Sequence, residues 1–199
     1  GWSTHIPLSP GTLLANTWTR PKAARSCRVF SRSSSRARTP DMVQVWRIAP
    51  DTPSYAADDL TGEGARLTGG RWNRAGVPML YCSSSRALCA LEVLVHLGAG
   101  RSLPLNRYLV EIEIPEDIWS AREVAQPDRL VGWDAIPAGI VSLDWGTNWA
   151  SATRSVVATV PSIMVREEWN VLLNPRHPDM KRVHARKVRR WDFDQRLRT

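Results

Sequence analysis

The sequence has no long hydrophobic run and few cysteines. Its longest apolar stretch, Ala87–Leu97, is interrupted by Glu92 and His96 and is shorter than the ~18 consecutive apolar residues that a membrane-spanning helix needs. Three cysteines in 199 residues are too few and too scattered for a disulfide framework or a four-ligand zinc site. We therefore expect no membrane span and no bound metal. We also expect a cytoplasmic location, in which the thiols serve as small core side chains.

Common motifs for phosphate binding and hydrolysis are also missing. The chain contains no GxGxxG, Walker loop, HExxH or GxSxG, and no internal repeat is visible. Any function must therefore be argued from less familiar combinations of residues.

Negative charge is scarce in one part of the chain only. The whole sequence has 27 Lys and Arg against 19 Asp and Glu, a net charge of +8. Residues 1–41 hold seven basic groups and one acid, which gives +6, and the other 158 residues hold 20 and 18, which gives +2. A net charge of +2 is ordinary for a globular domain and argues against an extended nucleic-acid footprint.

The basic segment differs from the rest of the sequence in composition. Residues 1–41 are rich in serine and arginine and have no sustained hydrophobic period, so we expect a disordered extension. Met42 is the first methionine, and regular patterning begins directly after it. Whether residues 1–41 are native therefore stays open at this point. Residues 42–199 have a length that suits a single domain with one core.

Hydrophobic patterning in residues 42–199 predicts more strands than helices. One helix is expected from Ser84 or Ser85 to Leu97, with the serine as its N-cap, and a second over Trp149–Ala158. Strands are expected at 43–48, 79–83, 108–114, 162–165, 171–173 and 183–191. This mixed order indicates an α+β fold.

A glycine-rich stretch is the first candidate for chemistry. Five glycines lie between Gly62 and Gly76, and they permit close backbone approach and positive φ angles around Arg71. An arginine beside such a loop can offer a bidentate fork to a phosphate or carboxylate, and Asn73 adds further donors. A solvated surface loop is the simpler alternative.

Four other side chains stand out from their surroundings. Glu92 is the one acid on a largely apolar helix, where a carboxylate is either paired, functional or on a narrow exposed stripe. Tyr81 precedes that helix on a short strand, and Arg47 interrupts an apolar strand. His96 is interpreted as a stripe or capping residue. Structural roles remain open for all four.

Several motifs together resemble the RES-domain family. They are Gly69-Gly-Arg-Trp-Asn73, Gly76-Val-Pro78, Tyr81-Cys-Ser83, Leu91-Glu-Val-Leu-Val-His96, Val160-Pro-Ser162 and Glu168-Trp-Asn-Val-Leu-Leu-Asn-Pro-Arg-His-Pro-Asp179. The resemblance implies a toxin of a bacterial toxin–antitoxin pair that depletes NAD, with an Xre-type helix-turn-helix antitoxin as partner and a toxin homodimer. It also implies an ADP-ribosyltransferase-like fold of small, mostly antiparallel sheets with packed helices.

The resemblance also assigns roles to individual residues. By position, Arg71, Tyr81 and Glu92 match the catalytic residues of the family, with NAD as substrate and no further cofactor. The expected NAD-binding residues are Arg47, Asn73, Ser83, Ser151, Ser162 and Asn170. For the functional serine, Ser162 is favoured because it lies in a matched block, while Ser151 remains an alternative if it faces a phosphate from the start of a helix.

Three functions remain to be distinguished. The leading one is transfer of ADP-ribose from NAD to water or phosphate, and the second is ADP-ribosylation of a protein by the same residues. The third is a nucleic-acid-binding or RNA-cleaving toxin, favoured only by the basic run Lys181–Arg190. That run alternates in part, and we interpret it as an edge strand protected by charge.

Overall fold

The computed structural model describes residues 41–97 and 103–197. In these residues, seven strands and four α-helices follow one another: β1 (Met42–Ala49), α1 (Glu63–Thr68), β2 (Leu80–Ser83), α2 (Arg86–Leu97), β3 (Tyr108–Pro115), α3 (Glu116–Ser120), β4 (Glu123–Val124), α4 (Ile140–Ser151), β5 (Val157–Pro161), β6 (Trp169–Leu173) and β7 (His184–Arg190). Short 3₁₀ turns lie at Pro127–Arg129, Pro178–Arg182 and Gln195–Leu197.

The strands form one sheet in the order β4-β5-β6-β2-β1-β3-β7. Every neighbouring pair is antiparallel except β4 and β5. Strands β1 and β3 pair along their whole length, whereas β1 and β2 meet at one register pair, Trp46 with Ser83. The sheet therefore consists of two well-paired halves with a narrow junction. The predicted α+β class with mostly antiparallel strands is confirmed.

Alternating side chains place the core on both faces of the sheet. On β3, Val110, Ile112 and Ile114 enter one cluster, while Leu109 enters another together with Trp46. A third cluster lies around Trp72 and includes side chains from α4, β5 and β6. The period of two that predicts these strands is thus the pattern that buries them.

Helix α2 begins as the sequence indicates. Of the two serines considered, Ser85 is the N-cap, and its hydroxyl oxygen accepts a hydrogen bond from the backbone N–H of Leu88 over 3.1 Å. The same hydroxyl donates to Glu168 over 2.7 Å, which ties the start of the helix to the β5–β6 hairpin. This double role fixes α2 against the sheet.

Two predicted elements are wrong. The helix expected over Trp149–Ala158 is instead α4, which begins at Ile140 and ends at Ser151, and Thr153 then adopts a positive φ of 46°. The β-branched residues that follow form β5. The strand expected at 162–165 is a turn, because the Ser162 hydroxyl accepts hydrogen bonds from the backbone N–H groups of Met164 and Val165.

The prediction of a disordered extension at residues 1–41 lies outside the described residues, apart from Asp41 at its end. Within the described part of the chain, no helix has both the length and the apolar character to cross a membrane.

Candidate functional site

A pocket of about 460 Å³ opens beside the junction between β1 and β2. Its volume falls within the range of roughly 300–1,000 Å³ usual for small-molecule sites. Its lining comes mainly from β1, β2, α2, the glycine-rich stretch and the β5–β6 hairpin. The polar and charged side chains that line it are Arg47, Thr68, Arg71, Tyr81, Glu92, His96 and Asn170.

Glu92 reaches the pocket from the middle of α2. One oxygen of its carboxylate, Oε1, accepts two hydrogen bonds, from the Ser162 hydroxyl over 3.0 Å and from Nδ2 of Asn170 over 2.6 Å. Both donors belong to the β5–β6 hairpin, whose strands pair antiparallel. The hairpin therefore holds a half-buried carboxylate at the pocket wall in a single place.

Tyr81 projects from β2 toward the glycine-rich loop. Its hydroxyl donates to Oδ1 of Asn73 over 2.7 Å and accepts from the backbone N–H of Trp72 over 2.9 Å. Burial raises the pKa of the phenol, so the hydroxyl keeps its proton in alkaline solution as well as at neutral pH. The hydroxyl is thus fully engaged with the loop, while the ring remains part of the pocket lining.

The loop can approach the tyrosine because residue 70 is glycine. A Cβ at Gly70 would lie 2.6 Å from the Tyr81 hydroxyl oxygen, closer than atoms tolerate. Asn73 completes the loop, since its Nδ2 donates to the carbonyl oxygens of Ala65 and Val77 over 2.9 and 2.8 Å. The motif Gly-Gly-Arg-Trp-Asn therefore folds into a rigid support for Tyr81.

Arg71 lines the pocket and is itself anchored. Its Nη1 donates to the carbonyl oxygens of Trp133 and Ala135 over 3.0 and 2.8 Å. Partial burial lowers the pKa of the guanidinium, and the Glu92 and Asp134 carboxylates oppose that effect. Among the described residues, Nη2 and Nε have no hydrogen-bond partner, so this side of the fork is available to a ligand.

Arg47 supplies a second cation at the pocket. Its Nη1 donates to the carbonyl oxygen of Asp59 over 3.2 Å, which steadies the side chain where it leaves β1. With Arg71, it gives the pocket two guanidinium groups and one carboxylate, Glu92. Such a pocket can bind a ligand that carries anionic groups at one part and positive charge at another.

The structure brings together most of the residues predicted from the sequence. Arg47, Arg71, Tyr81, Glu92 and Asn170 all line the same pocket, although they come from five separate segments of the chain: β1, the glycine-rich loop, β2, α2 and β6.

Three predicted NAD-binding residues lie behind the pocket wall. Asn73 and Ser162 have no exposed surface, and Ser83 is 3% exposed. Their polar atoms contact protein groups: Asn73 supports the loop, Ser162 holds Glu92, and the Ser83 hydroxyl donates to Oδ1 of Asn170 over 2.9 Å. None of the three is part of the pocket lining, and their contact with NAD stays a prediction.

The alternative serine lies elsewhere. Ser151 is the last residue of α4 and is exposed, so it does not face a ligand from the start of a helix. It is not part of the pocket lining.

Sequence reasoning missed two parts of the pocket. His96 lines it one helical turn after Glu92, a spacing that could have been used to group the two residues. The segment 133–136 provides the carbonyl oxygens for Arg71 and the lining residue Ile136. No sequence pattern connects that segment to the glycine-rich loop.

No cluster of three or more potential metal-binding side chains occurs in residues 41–97 and 103–197.

A model of the RES domain matches residues 44–195 of the chain. The "Prs ADP-ribosylating toxin" of Sphingobium sp. strain YBL2 is 56% identical over 153 residues, covering 76% of this chain and 94% of the relative. A "Toxin Res" of Yersinia enterocolitica is 40% identical over 124 residues, covering 62% and 79%.

Among solved structures, the chain is similar to one in the crystal structure of the M. tuberculosis MbcT–MbcA toxin–antitoxin complex. The TM-score is 0.49 at 18% identity, with 74% of this chain and 83% of the other covered.

Proposed function

This chain belongs to the RES domain family of toxins, and from that premise we propose that it consumes NAD by breaking the bond between nicotinamide and ribose. The observation that carries the proposal is the position of Glu92. Its carboxylate is held through one oxygen at the wall of a pocket that also contains two arginines.

The charge on the pocket wall suits this reaction. When the bond between nicotinamide N1 and ribose C1′ breaks, its electron pair neutralises the nicotinamide ring and positive charge develops on the ribose. A fixed carboxylate beside the ribose stabilises that oxocarbenium-like transition state, as in glycoside cleavage. Glu92 is the carboxylate among the lining residues and is assigned this role.

The two arginines suit the diphosphate of NAD. The Nη2 and Nε groups of Arg71 form the free side of a planar fork, a geometry that matches a phosphate. Arg47 contributes a second positive charge to the same pocket. Tyr81 presents its ring as a surface for the nicotinamide or ribose, since its hydroxyl is engaged with Asn73.

Water or phosphate is the acceptor in the leading version of this proposal. A protein acceptor is the second candidate, and the 56% identical relative favours it because its name describes ADP-ribosylation of Prs. Both versions share the same first step, so both require Glu92. They differ in whether the ADP-ribose ends free in solution or attached to protein.

A proton NMR time course of NAD with the 199-residue protein tests the first step. We expect nicotinamide to appear with the unmodified protein and to be reduced at least a hundredfold with Glu92→Gln, while Glu116→Gln retains activity. Glu116 is a matched control because it is an exposed glutamate on α3, outside the pocket lining. The proposal is contradicted if folded wild-type protein consumes NAD no faster than Glu92→Gln. This comparison is made without additions, with phosphate and with Prs.

The same samples identify the acceptor. Faster nicotinamide release in phosphate buffer than in a non-phosphate buffer indicates phosphorolysis, and equal rates indicate hydrolysis. Labelled NAD with added Prs protein tests the second candidate. Label retained on Prs after denaturation supports protein ADP-ribosylation, whereas free labelled ADP-ribose supports transfer to water.

The proposal includes an antitoxin partner of the Xre helix-turn-helix type and a toxin homodimer, both implied by family membership. Any DNA contact would then be made by the antitoxin, and the toxin would act in the cytoplasm. Co-expression followed by size-exclusion chromatography with light scattering tests both assemblies.

A further inference from the structure

We propose that Ser83 is a positioning residue, which orients the Asn170 amide so that Glu92 is held through Oε1 and presents Oε2 to the substrate. Ser83 does not line the pocket, and its hydroxyl donates to Asn170 and not to Glu92. The expected effect on the rate of nicotinamide release rests on the proposed function, whereas the expected effect on the orientation of the Asn170 amide does not.

The backbone register sets up the contact. Ser83 on β2 and Asn170 on β6 are direct partners in the antiparallel ladder. Side chains of such partners lie on the same face of the sheet within reach of each other. The Ser83 hydroxyl is 2.9 Å from Oδ1 of Asn170, and Nδ2 of Asn170 is 2.6 Å from Oε1 of Glu92. The three groups form a continuous line from the sheet interior to the pocket wall.

The direction of each hydrogen bond follows from donor chemistry. An ionised carboxylate can only accept hydrogen bonds, so the amide nitrogen of Asn170, not its oxygen, must face Glu92. The amide oxygen then faces Ser83, whose hydroxyl must donate. Removing that hydroxyl leaves a polar atom of Asn170 without its buried partner, which weakens the preference for this orientation of the amide.

Ser162 fixes the other side of the same oxygen. Its hydroxyl oxygen accepts from the backbone N–H groups of Met164 and Val165, at 3.0 and 3.3 Å. The hydroxyl proton is therefore directed to Oε1 of Glu92, 3.0 Å away. Both restraints act on Oε1, and no described residue donates to Oε2. The carboxylate consequently has one oxygen held by protein and one available to NAD.

This arrangement predicts an effect on turnover and not on binding. Ser83 is 3% exposed and separated from the pocket by Asn170. Loss of its hydroxyl should leave the arginines and the Tyr81 ring unchanged. It should instead lower the fraction of molecules in which Glu92 is correctly placed, and catalytic rates depend strongly on such placement.

The experiment compares three substitutions in the 199-residue protein. Ser83→Thr and Ser83→Val add nearly the same volume, but only threonine keeps a hydroxyl, and Ser83→Ala removes the hydroxyl without adding bulk. We expect Ser83→Ala and Ser83→Val to lower kcat for nicotinamide release about tenfold, with KM for NAD within about twofold of wild type. Ser83→Thr should recover most of the rate.

A matched control separates this effect from the general loss of a buried hydroxyl. Ser142 is fully buried on α4, and its hydroxyl donates to the carbonyl oxygen of Gly139 over 3.1 Å. Ser142→Ala should leave kcat unchanged. If Ser83→Val and Ser83→Thr turn over equally, or if Ser142→Ala loses as much activity as Ser83→Ala, the positioning role is overturned.

A second measurement does not depend on NAD turnover. The side-chain amide of Asn170 gives a pair of nitrogen-correlated NMR signals, assigned by their loss in Asn170→Ala. We expect these protons to exchange with solvent at least tenfold faster in Ser83→Val than in wild type, and at the wild-type rate in Ser83→Thr. Unchanged exchange in Ser83→Val would overturn the inference. Inactivity of the wild-type protein with the expected exchange pattern would instead overturn the proposed function alone.

Discussion

The phenol of Tyr81 donates a 2.7 Å hydrogen bond to Oδ1 of Asn73, a side chain with no exposed surface. Asn73 in turn donates to backbone carbonyl oxygens on both sides of the glycine-rich loop. The two residues therefore connect strand β2 to the loop that carries Arg71. This connection divides the functions of Tyr81 between its hydroxyl, which supports the loop, and its ring, which lines the pocket.

Tyr81→Phe separates these two functions. Loss of the hydroxyl leaves Oδ1 of Asn73 and the N–H of Trp72 without a buried partner. We expect the free energy of unfolding to fall by about 1–3 kcal/mol, with nicotinamide release within about tenfold of wild type because the ring remains. Urea denaturation and the NAD time course measure these quantities. A complete loss of turnover in stable Tyr81→Phe protein would mean that the hydroxyl itself acts in the reaction.

Gly70→Ala tests the close approach between the loop and Tyr81. The added Cβ would lie 2.6 Å from the phenol oxygen, so either the loop or the ring must move. We expect a strong loss of nicotinamide release and a lower melting temperature. Gly139→Ala is the control, because its Cβ would make only an ordinary contact at 3.5 Å. Full activity of Gly70→Ala would show that the pocket tolerates a displaced loop.

Arg71→Lys tests the anchored fork. Lysine keeps the positive charge but cannot bind the two carbonyl oxygens of Trp133 and Ala135 while also presenting a planar fork to a diphosphate. We expect KM for NAD to rise about tenfold or more. Faster amide exchange in segment 133–136 should accompany it, since that segment loses its anchor. If KM for NAD is unchanged while amide exchange in segment 133–136 becomes faster, Arg71 anchors that segment but does not bind NAD.

The sequence predicted the elements whose pattern is local. Parts of β1 and β3, such as residues 110–114, alternate between apolar and polar residues, and Ser85 stands at the position of an N-cap. These elements therefore follow from periodicity and capping. The first three quarters of helix α4 were not predicted, because residues 140–148 include β-branched residues and a glycine, which have low helix propensity. Gly146 is required there by packing, since a Cβ would lie 2.0 Å from the carbonyl oxygen of Trp72.

The site shows the same division. The site predicted from the sequence includes five residues that line the pocket, but the motifs do not indicate that Asn73, Ser83 and Ser162 lie behind its wall. The contact between Ser162 and Glu92 spans 70 residues of chain, and that between Ser83 and Asn170 spans 87. Such pairs are determined by the register of β2, β5 and β6, which no local pattern specifies.

The basic run Lys181–Arg190 provides a test of the nucleic-acid alternative. Most of it lies on edge strand β7, and several of its cations have acidic partners: Arg182 pairs with Asp117 over 2.8 Å and Lys187 with Asp51 over 3.1 Å. We therefore expect no role for this strand in RNA binding. In a filter-binding assay, the amount of single-stranded RNA retained by the double variant Lys181→Ala, Arg189→Ala should equal the amount retained by wild type. Retention that falls in the variant and depends on salt would support nucleic-acid binding by this strand.

The buried thiols predict how stability changes in alkaline solution. Burial raises the pKa of Cys82 and of Cys89 to about 12, from a reference value of 9.0. Between these values the unfolded chain loses thiol protons that the folded chain keeps, so the unfolded state is favoured as pH rises. Each thiol should then lower the free energy of unfolding by about 1.4 kcal/mol per pH unit above pH 9.

Urea denaturation at pH 8 and at pH 10.5 measures this slope, with iodoacetamide absent. The stabilisation from the protonated thiols is fully present below about pH 9 and is lost progressively toward pH 12. Wild-type protein should therefore lose more stability over this interval than the double variant Cys82→Ala, Cys89→Ala, even though the variant is less stable at pH 8 from lost packing. Equal slopes would mean that both thiols ionise in the folded protein as they do in the unfolded chain, and rapid alkylation of native protein at pH 8 would then be expected at both.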